Sequence, residues 1–171
     1  STLLASSAAS DVYKRQGDRI IKNGDFLLMD YGCVYNGYCS DMTRTIMIGK
    51  ADKKQKEIYN TVLNAQMTGL NVLKAGIGGF SADKAARDVI DEAGYGDYFG
   101  HSLGHGVGLQ IHELPNLSPK SDIILEENMI VSCEPGIYIY GYGGVRIEDL
   151  VCVKKDGIRN LTNLSKELIE I

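Results

Sequence analysis

Four acidic side chains and one histidine have the chemistry and the surroundings to bind metal ions. Each acid lies in or directly after an apolar, strand-forming segment, and the four are Asp30, Asp41, Glu134 and Glu148. A carboxylate is costly to bury there unless a positive charge lies beside it. Four carboxylates balance two divalent cations, and the neutral imidazole of His105 adds a ligand without charge. Mixed oxygen and imidazole ligands suit Mn²⁺, Co²⁺, Zn²⁺ or Fe²⁺, and the lack of thiolates disfavours a structural zinc site.

A site of this composition favours one kind of chemistry. Two metal ions about 3.5–4 Å apart lower the pKa of a bridging water and polarise a substrate carbonyl. The residues themselves therefore predict metal-assisted hydrolysis, before any likeness to known proteins is considered.

The first two acids are expected on one β-hairpin, between residues 24 and 45. Asn36-Gly37 is a strong hairpin signal, because a type I′ turn needs positive φ at both central residues. A two-residue turn places Asp30 opposite Thr43 and puts Asp41 on the same face, with the two aspartate Cα atoms about 7–8 Å apart. On the hairpin alone, a solvated acidic face is an equally good interpretation.

The other two acids are expected on a second hairpin. Residues 129–133 form an apolar strand that ends at Glu134, and residues 145–153 form the returning strand that carries Glu148. Pro135-Gly136 permits a bulge, so the faces of these two glutamates stay open at this stage.

All three histidines of the chain lie within twelve residues, interleaved with glycines. They are His101, His105 and His112. Glycine suits a backbone that approaches a ligand closely, and such a segment is a poor core element. The clustering predicts a functional site rather than structural histidines.

Two amphipathic helices should lie between the hairpin and the histidines. Asp52 and Gln55 match a capping box at the start of the first helix, which is expected to end at Gly76. Ser81 is expected as the N-cap of the second helix, and Gly94 as its stop. Their apolar stripes are interpreted as core packing and are assigned no chemistry. The stripe of the first helix is Ile58, Val62, Leu63, Met67, Leu70 and Leu73, and that of the second is Ala82, Ala85, Ala86, Val89, Ile90 and Ala93.

Composition narrows the class of protein. A chain of 171 residues with 44% hydrophobic and 23% charged residues fits one globular domain. The net charge of −4 gives no basic footprint for nucleic acid, and no apolar run approaches the roughly 20 residues of a membrane span. Four cysteines without C-x-x-C spacing, and a start without a basic secretory signal, predict a cytoplasmic protein.

Five ordered motifs make the chain resemble the pita-bread-fold metallopeptidases. They are Met29-Asp30-Tyr31-Gly32, Ser40-Asp41-Met42-Thr43-Arg44-Thr45, Gly104-His105-Gly106-Val107-Gly108, Glu134-Pro135-Gly136 and Arg146-Ile147-Glu148-Asp149. Within this group the chain is more similar to the Xaa-Pro peptidases, aminopeptidase P and prolidase, than to methionine aminopeptidases. The resemblance implies an α+β fold in which a curved antiparallel sheet is backed by helices.

The resemblance also implies the metal ligands. Asp30 would hold one metal ion, Asp41 and Glu148 would bridge both, and His105 with Glu134 would complete the other shell. Glu134 would also take a proton from the bridging water and pass it to the leaving nitrogen.

Four further residues are implied to support the chemistry. His101 would stabilise the tetrahedral intermediate, and His112 would hydrogen-bond nearby. Arg146 and Thr43 would orient the carboxylates without touching metal, although an ordinary strand role is the alternative for both.

The implied activity is hydrolysis at the N-terminus of peptides, with proline as the second residue. The implied cofactors are two divalent metal ions, with Mn²⁺ favoured over Co²⁺, Zn²⁺ and Fe²⁺, and a homodimer is expected. The alternatives are a methionine aminopeptidase, a non-catalytic binding relative of the same fold, and an inactive fragment.

The beginning of the chain departs from the family pattern. Residues 1–16 lack the helices, strands and Pro-His pair that such enzymes have before the first metal-binding aspartate. We therefore expect 1–16 to be a non-native start and 17–171 to be the C-terminal two-thirds of a catalytic domain, incomplete at its N-terminus.

Overall fold

The computed structural model describes residues 20–171, and the predicted non-native start at 1–16 lies outside the described residues. Two α-helices and a 3₁₀ turn accompany eleven strands in this range, which confirms the α+β class. The helices are α1 (Lys53–Val72) and α2 (Gly79–Glu92), followed by the 3₁₀ turn Gly96–Tyr98. The strands are β1 (Phe26–Tyr31), β2 (Val34–Tyr35), β3 (Tyr38–Cys39), β4 (Met42–Met47), β5 (Gly104–Gly106), β6 (Glu113–Leu117), β7 (Ile130–Cys133), β8 (Gly136–Ile139), β9 (Gly143–Arg146), β10 (Asp149–Lys154) and β11 (Gly157–Asn160).

The first hairpin has the predicted turn and register. Asn36 and Gly37 adopt φ of 49° and 85°, the positive values that a type I′ turn requires. Tyr35 lies opposite Tyr38 in the β2–β3 pair, and Asp30 lies opposite Thr43 in the β1–β4 pair. One register therefore runs from the turn to the base of the hairpin.

The second hairpin keeps one register on both sides of its two glutamates. Cys133 pairs with Asp149 on one side, and Gly136 pairs with Arg146 on the other. These two pairs share one register, so no residue is inserted between them and Glu134 faces Glu148. Pro135-Gly136 therefore introduces no bulge between the two strands.

The main sheet has five antiparallel strands in the order β11-β10-β7-β5-β6. The hairpins β1–β4 and β8–β9 extend from it as two-stranded pieces. The backbone of the second hairpin joins these parts, because Glu134 N donates to Leu103 O (2.8 Å) and Glu148 N donates to Thr43 O (3.1 Å). Both acids therefore lie at a junction between sheet pieces.

Helix α1 begins as predicted and ends early. Asp52 and Gln55 form the reciprocal capping box. The helix ends at Val72, with Leu73 in extended conformation, rather than at Gly76. The reason is tertiary: the amide groups of Ala75 and Gly76 donate to Lys154 O and Leu125 O instead of continuing the helix.

The prediction that Ser81 caps helix α2 is wrong. The helix begins at Gly79 with Gly78 as N-cap, and Ser81 lies in its first turn. A Cβ at Gly79 would lie 2.5 Å from Asn116 O and from Ser121 Oγ, so close packing against the following chain sets this end. The predicted stop is confirmed, because Gly94 follows the helix with φ of 82°.

The core lies between the two helices and the main sheet. Most of the predicted stripe residues are buried there, among them Ile58, Val62, Leu70, Leu73, Ala82, Ala86 and Ile90. Each large apolar side chain so buried stabilises the fold by about 1.5–3 kcal/mol. Met67, with 49% of its surface exposed, and Ala93 are exposed instead. Neither helix in residues 20–171 combines the length and apolar character that a membrane span needs.

Candidate metal centre

The folded chain brings the predicted ligands together from both hairpins and from strand β5. Ligand atoms of Asp41, His105 and Glu148 all lie within 4.8 Å of one another. His105 Nε2 is 3.7 Å from Asp41 Oδ2 and 3.1 Å from Glu134 Oε1. Four of the five predicted ligands therefore form one cluster at the junction between the sheet pieces.

Asp30, the fifth predicted ligand, lies at the edge of this cluster. Its side chain is 51% exposed, and its Oδ2 accepts a hydrogen bond from Arg146 Nη2 at 2.6 Å. The register places it on the face shared by Asp41 and Thr43, as the hairpin predicted.

His105 is oriented with one ring nitrogen toward the acids. Its Nδ1 lies 3.1 Å from Gly106 O, which can only accept, so Nδ1 carries a proton and Nε2 faces the carboxylates. Burial by itself would lower the pKa of His105, but the hydrogen bond and charge of Glu134 outweigh it and raise the pKa. The same contacts outweigh burial at Glu134 and lower its pKa.

Glu148 is the least satisfied of the acids. It is 1% exposed, and its Oε2 accepts a hydrogen bond from Thr43 Oγ1 at 2.6 Å. Its Oε1 is buried and has no hydrogen-bond partner within residues 20–171. Burial, followed by the charges of Glu134 and Asp41, raises the pKa of Glu148 well above its ordinary value.

The pKa of Asp41 is also raised above its ordinary value. Burial and the neighbouring charges of Asp30 and Glu134 raise its pKa to about 6. A cluster of buried oxygen ligands that holds more negative charge than its surroundings neutralise, with an unpaired oxygen on Glu148, fits divalent cations. The donor set of carboxylates and imidazole is the one that Mn²⁺, Co²⁺, Zn²⁺ and Fe²⁺ accept.

Arg146 connects the two hairpins beside the cluster. Its Nε donates to Thr43 Oγ1 (3.0 Å), its Nη1 to Tyr138 OH (3.1 Å) and its Nη2 to Asp30. Nε also lies 3.7 Å from Glu134 Oε2. Arg146 and Thr43 therefore contact the candidate ligands directly, as their implied orienting role requires.

His101 lies one side chain away from the cluster. Its Nδ1 is 2.8 Å from Ser102 O, so this nitrogen donates, and its Nε2 is 3.0 Å from Tyr138 OH. Burial lowers the pKa of His101 and favours the neutral ring, whose Nε2 then accepts the tyrosine proton. A relay of hydrogen bonds thus runs from Arg146 through Tyr138 to His101.

His112 is exposed beside the cluster. Its ring packs edge-on against that of His105, with centroids 4.3 Å apart. The histidine segment therefore places two rings at the cluster and one behind Tyr138.

Two polar residues at this site were missed by sequence reasoning. Ser132 Oγ donates to Glu134 Oε1 (3.0 Å) and accepts from His105 N (3.0 Å). Tyr138 is the partner of both His101 and Arg146. Ser132 lies two residues before Glu134 and Tyr138 lies four residues after it, so counting outward from that glutamate in steps of two would have found both.

The glycines around His105 serve close strand packing. A Cβ at Gly104 would lie 2.1 Å from Ser132 O, and one at Gly106 would lie 2.3 Å from Leu114 O. These glycines let strand β5 lie against its neighbours, which differs from the ligand approach that the sequence favoured.

The fold and the site define an α+β protein with a cluster of candidate metal ligands at the junction of its sheet pieces. Comparison with known proteins gives the family: the sequence profile of metallopeptidase family M24 matches residues 1–155, and the chain belongs to that family. The predicted pita-bread fold and the resemblance to Xaa-Pro peptidases are confirmed by the relatives described next.

Similar proteins include named Xaa-Pro peptidases. The chain is 46% identical over 169 residues to the Xaa-Pro dipeptidase of Pyrococcus furiosus. The aligned region covers 98% of this chain and 49% of that protein. The solved structure of a Xaa-Pro dipeptidase from Bacillus anthracis superposes with a TM-score of 0.89 at 54% identity, covering 91% of this chain and 44% of the other. Aminopeptidase P of Escherichia coli is more distant, with a TM-score of 0.76, 29% identity, and coverage of 85% and 39%. The chain thus spans about half the length of the curated relatives it matches.

Proposed function

We propose that this chain supports metal-dependent hydrolysis of Xaa-Pro bonds at the N-terminus of peptides. The observation that carries the proposal is the convergence of Asp41, His105, Glu134 and Glu148, with the buried Oε1 of Glu148 left without a partner in the described chain. A buried polar atom without a partner costs free energy unless a ligand satisfies it. The Xaa-Pro specificity rests on the names of the most similar relatives.

The cofactors in this proposal are two divalent ions, with Mn²⁺ favoured. Asp30, Asp41, His105, Glu134 and Glu148 would hold them. When bound, the ions would activate a water molecule and polarise the substrate carbonyl. Asp30 would need to exchange its contact with Arg146 in part, because its Oδ2 is engaged there.

Glu134 is the residue proposed to move protons. Its contacts with His105 and Ser132 hold the carboxylate at the centre of the cluster. The lowered pKa of Glu134 keeps it ionised near neutral pH, so it can accept a proton and then donate it to the leaving nitrogen.

His101 and His112 are proposed to face the substrate. The relay from Arg146 through Tyr138 fixes the imidazole of His101. To donate to a substrate oxygen, Nε2 of His101 would take a proton and exchange its contact with Tyr138, because Nδ1 is held by Ser102 O. His112 lies exposed against His105, where it can reach a bound peptide.

Two measurements test the proposal on the full chain. Metal analysis after purification without chelator should find about two divalent ions per chain, and Xaa-Pro peptides should be cleaved faster than Met-Ala peptides when Mn²⁺ or Co²⁺ is added. Preference for Met-Ala would favour the methionine aminopeptidase alternative. Metal binding without cleavage would favour a binding relative or an inactive fragment.

A variant connects the activity to the site. Asp41→Ala removes a proposed bridging ligand and should abolish cleavage, whereas Lys84→Gln, on an exposed part of helix α2, should leave it unchanged. Near-normal turnover of Asp41→Ala would refute the bridging role. The proposal also includes the cytoplasmic location and the homodimer expected from the sequence, which fractionation and light scattering can check.

A further inference from the structure

Helix α2 carries a buried ion pair that sequence reasoning treated as part of a packing helix. Asp83 is 1% exposed, and its carboxylate accepts from Arg87 Nε at 2.8 Å and from Arg87 Nη2 at 2.9 Å. The same carboxylate accepts from the backbone amide of Leu103 at 2.9 Å. One end of the pair is therefore attached to the histidine segment.

Arg87 holds the same segment at two further points. Its Nη1 donates to Phe99 O (2.9 Å), and its Nη2 donates to His101 O (2.7 Å). The guanidinium also lies 4.1 Å from the centre of the Phe99 ring. Together, Asp83 and Arg87 fix the backbone at residues 99, 101 and 103.

This clamp acts on the imidazole of His101. The edge of the Phe99 ring packs against His101 with centroids 5.0 Å apart and planes at 88°. Tyr138 contacts the same imidazole at Nε2 through its hydroxyl group. His101 is therefore held between an aromatic ring that Arg87 fixes and a tyrosine that Arg146 fixes.

We propose that Asp83 and Arg87 are positioning residues that set the orientation of His101 toward Tyr138 and the substrate. The catalytic consequence rests on the proposed function, whereas the orientation of the ring is a property of the chain without metal or substrate. Arginine suits this task because its planar fork reaches a carboxylate and two carbonyl groups at once, which a lysine cannot do.

The helix offers a matched control. Lys84 and Asp88 form an exposed ion pair on α2 with the same spacing of four residues, and their side chains are 57% and 45% exposed. The test variants are Arg87→Lys, which keeps the charge, and Asp83→Asn, which keeps the volume. Lys84→Gln and Asp88→Asn are the controls, and circular dichroism reports whether each variant is folded.

The first measurement is NMR of histidine-labelled, metal-free protein. The chain has three histidines, so each ring signal can be assigned with a single His→Gln variant. Arg87→Lys and Asp83→Asn should shift the His101 ring signals and weaken the contact between His101 and Tyr138, while the His112 signals stay in place. The controls should change none of them. Unchanged His101 signals in a folded Arg87→Lys protein would overturn the proposal, and so would an equal shift in Lys84→Gln.

The second measurement uses the metal-loaded enzyme. Both test variants should lower kcat by roughly 10–100-fold with little change in KM or metal content, because a displacement of about 1 Å can cost that much. A fall in metal content equal to the fall in kcat would overturn the positioning role. If the unaltered chain does not cleave Xaa-Pro peptides, the proposed function fails, but the NMR result still decides the orientation of His101.

Discussion

Glu148 and Asp149 are neighbours in the chain and are both buried, yet their surroundings are opposite. Glu148 faces the other acids, has one hydrogen bond from Thr43, and keeps a buried oxygen without a partner in the described chain. Asp149 faces away and accepts hydrogen bonds from Arg44 (2.8 Å), Lys166 (2.7 Å) and Asn160 (2.7 Å). One carboxylate is neutralised by the chain, and the other has no cationic hydrogen-bond partner within the described residues.

The pKa values follow this difference. Burial raises the pKa of Glu148, and the charges of Glu134 and Asp41 raise it further. Burial by itself would raise the pKa of Asp149 as well, but the hydrogen bonds from Lys166, Asn160 and Arg44 outweigh it and lower the pKa. Burial alone therefore does not set the direction of these pKa shifts; the hydrogen-bond donors and charges around each carboxylate do.

The hydrogen-bonded network around Asp149 supports the backbone around Glu148. Arg44 pairs with Asp149 and also donates through Nη1 to the backbone carbonyls of Thr43 and Glu148. A fully paired network thus holds the backbone beside Glu148, whose Oε1 has no partner in the described chain. Four predictions test this contrast, beginning with the largest expected effect.

Glu148→Gln should abolish metal-dependent cleavage without lowering the stability of the metal-free protein. The substitution removes a proposed metal ligand and, at the same time, a buried charge that lacks a cationic partner in the chain. Peptidase assays and urea unfolding measure the two effects. A large loss of stability in the metal-free variant would mean that Glu148 is an ordinary structural acid.

Asp149→Ala, in contrast, should lower the free energy of unfolding. It leaves the buried Arg44 and the partly exposed Lys166 without their carboxylate, and breaking a buried pair from one side costs about 3–5 kcal/mol. The free energy of unfolding in urea measures the loss. A change below about 1 kcal/mol would show that water or another acid replaces Asp149, and the contrast with Glu148 would fail.

Added metal should stabilise the unaltered chain and not the Glu148→Gln variant. A ligand at about 100 times its dissociation constant raises the free energy of unfolding by about 2.7 kcal/mol. Thermal unfolding with and without Mn²⁺ provides the measurement, and Asp149→Asn serves as a control with its ligand set intact. Equal stabilisation of the Gln variant would place the bound metal elsewhere.

The pH dependence of stability should separate the two carboxyl groups by sign. The lowered pKa of Asp149 means that its contribution is present above its usual value of about 3.8 and is lost as the pH falls through the folded value. The raised pKa of Glu148 means that its contribution is lost as the pH rises above its usual value of about 4.5. In urea titrations, Asp149→Asn should therefore differ most from the unaltered protein near neutral pH and converge with it in acid. Glu148→Gln should gain stability relative to the unaltered protein as the pH rises.

The sequence determined the parts of the molecule that depend on near neighbours. Asn36-Gly37 set the turn and register of the first hairpin, because few residue pairs accept two positive φ values, and the strand period of two then placed Asp30, Asp41 and Thr43 on one face. The capping box at Asp52 depended on residues three apart. Recognition of the five motifs identified the cluster, which the fold brings together in four of its five members.

Only the tertiary structure decided which acids are neutralised. Glu148 and Asp149 look alike in the sequence. They differ in the folded chain because Arg44, Asn160 and Lys166, from other parts of the chain, donate hydrogen bonds to Asp149. In the same way, Asp83 and Arg87 read as the polar residues of a packing helix until the fold placed them against residues 99–103. Local pattern fixes the face on which a side chain lies, because backbone geometry is local. The charged groups that lie against that face come from residues distant in the sequence, so they reach it only when the elements pack together.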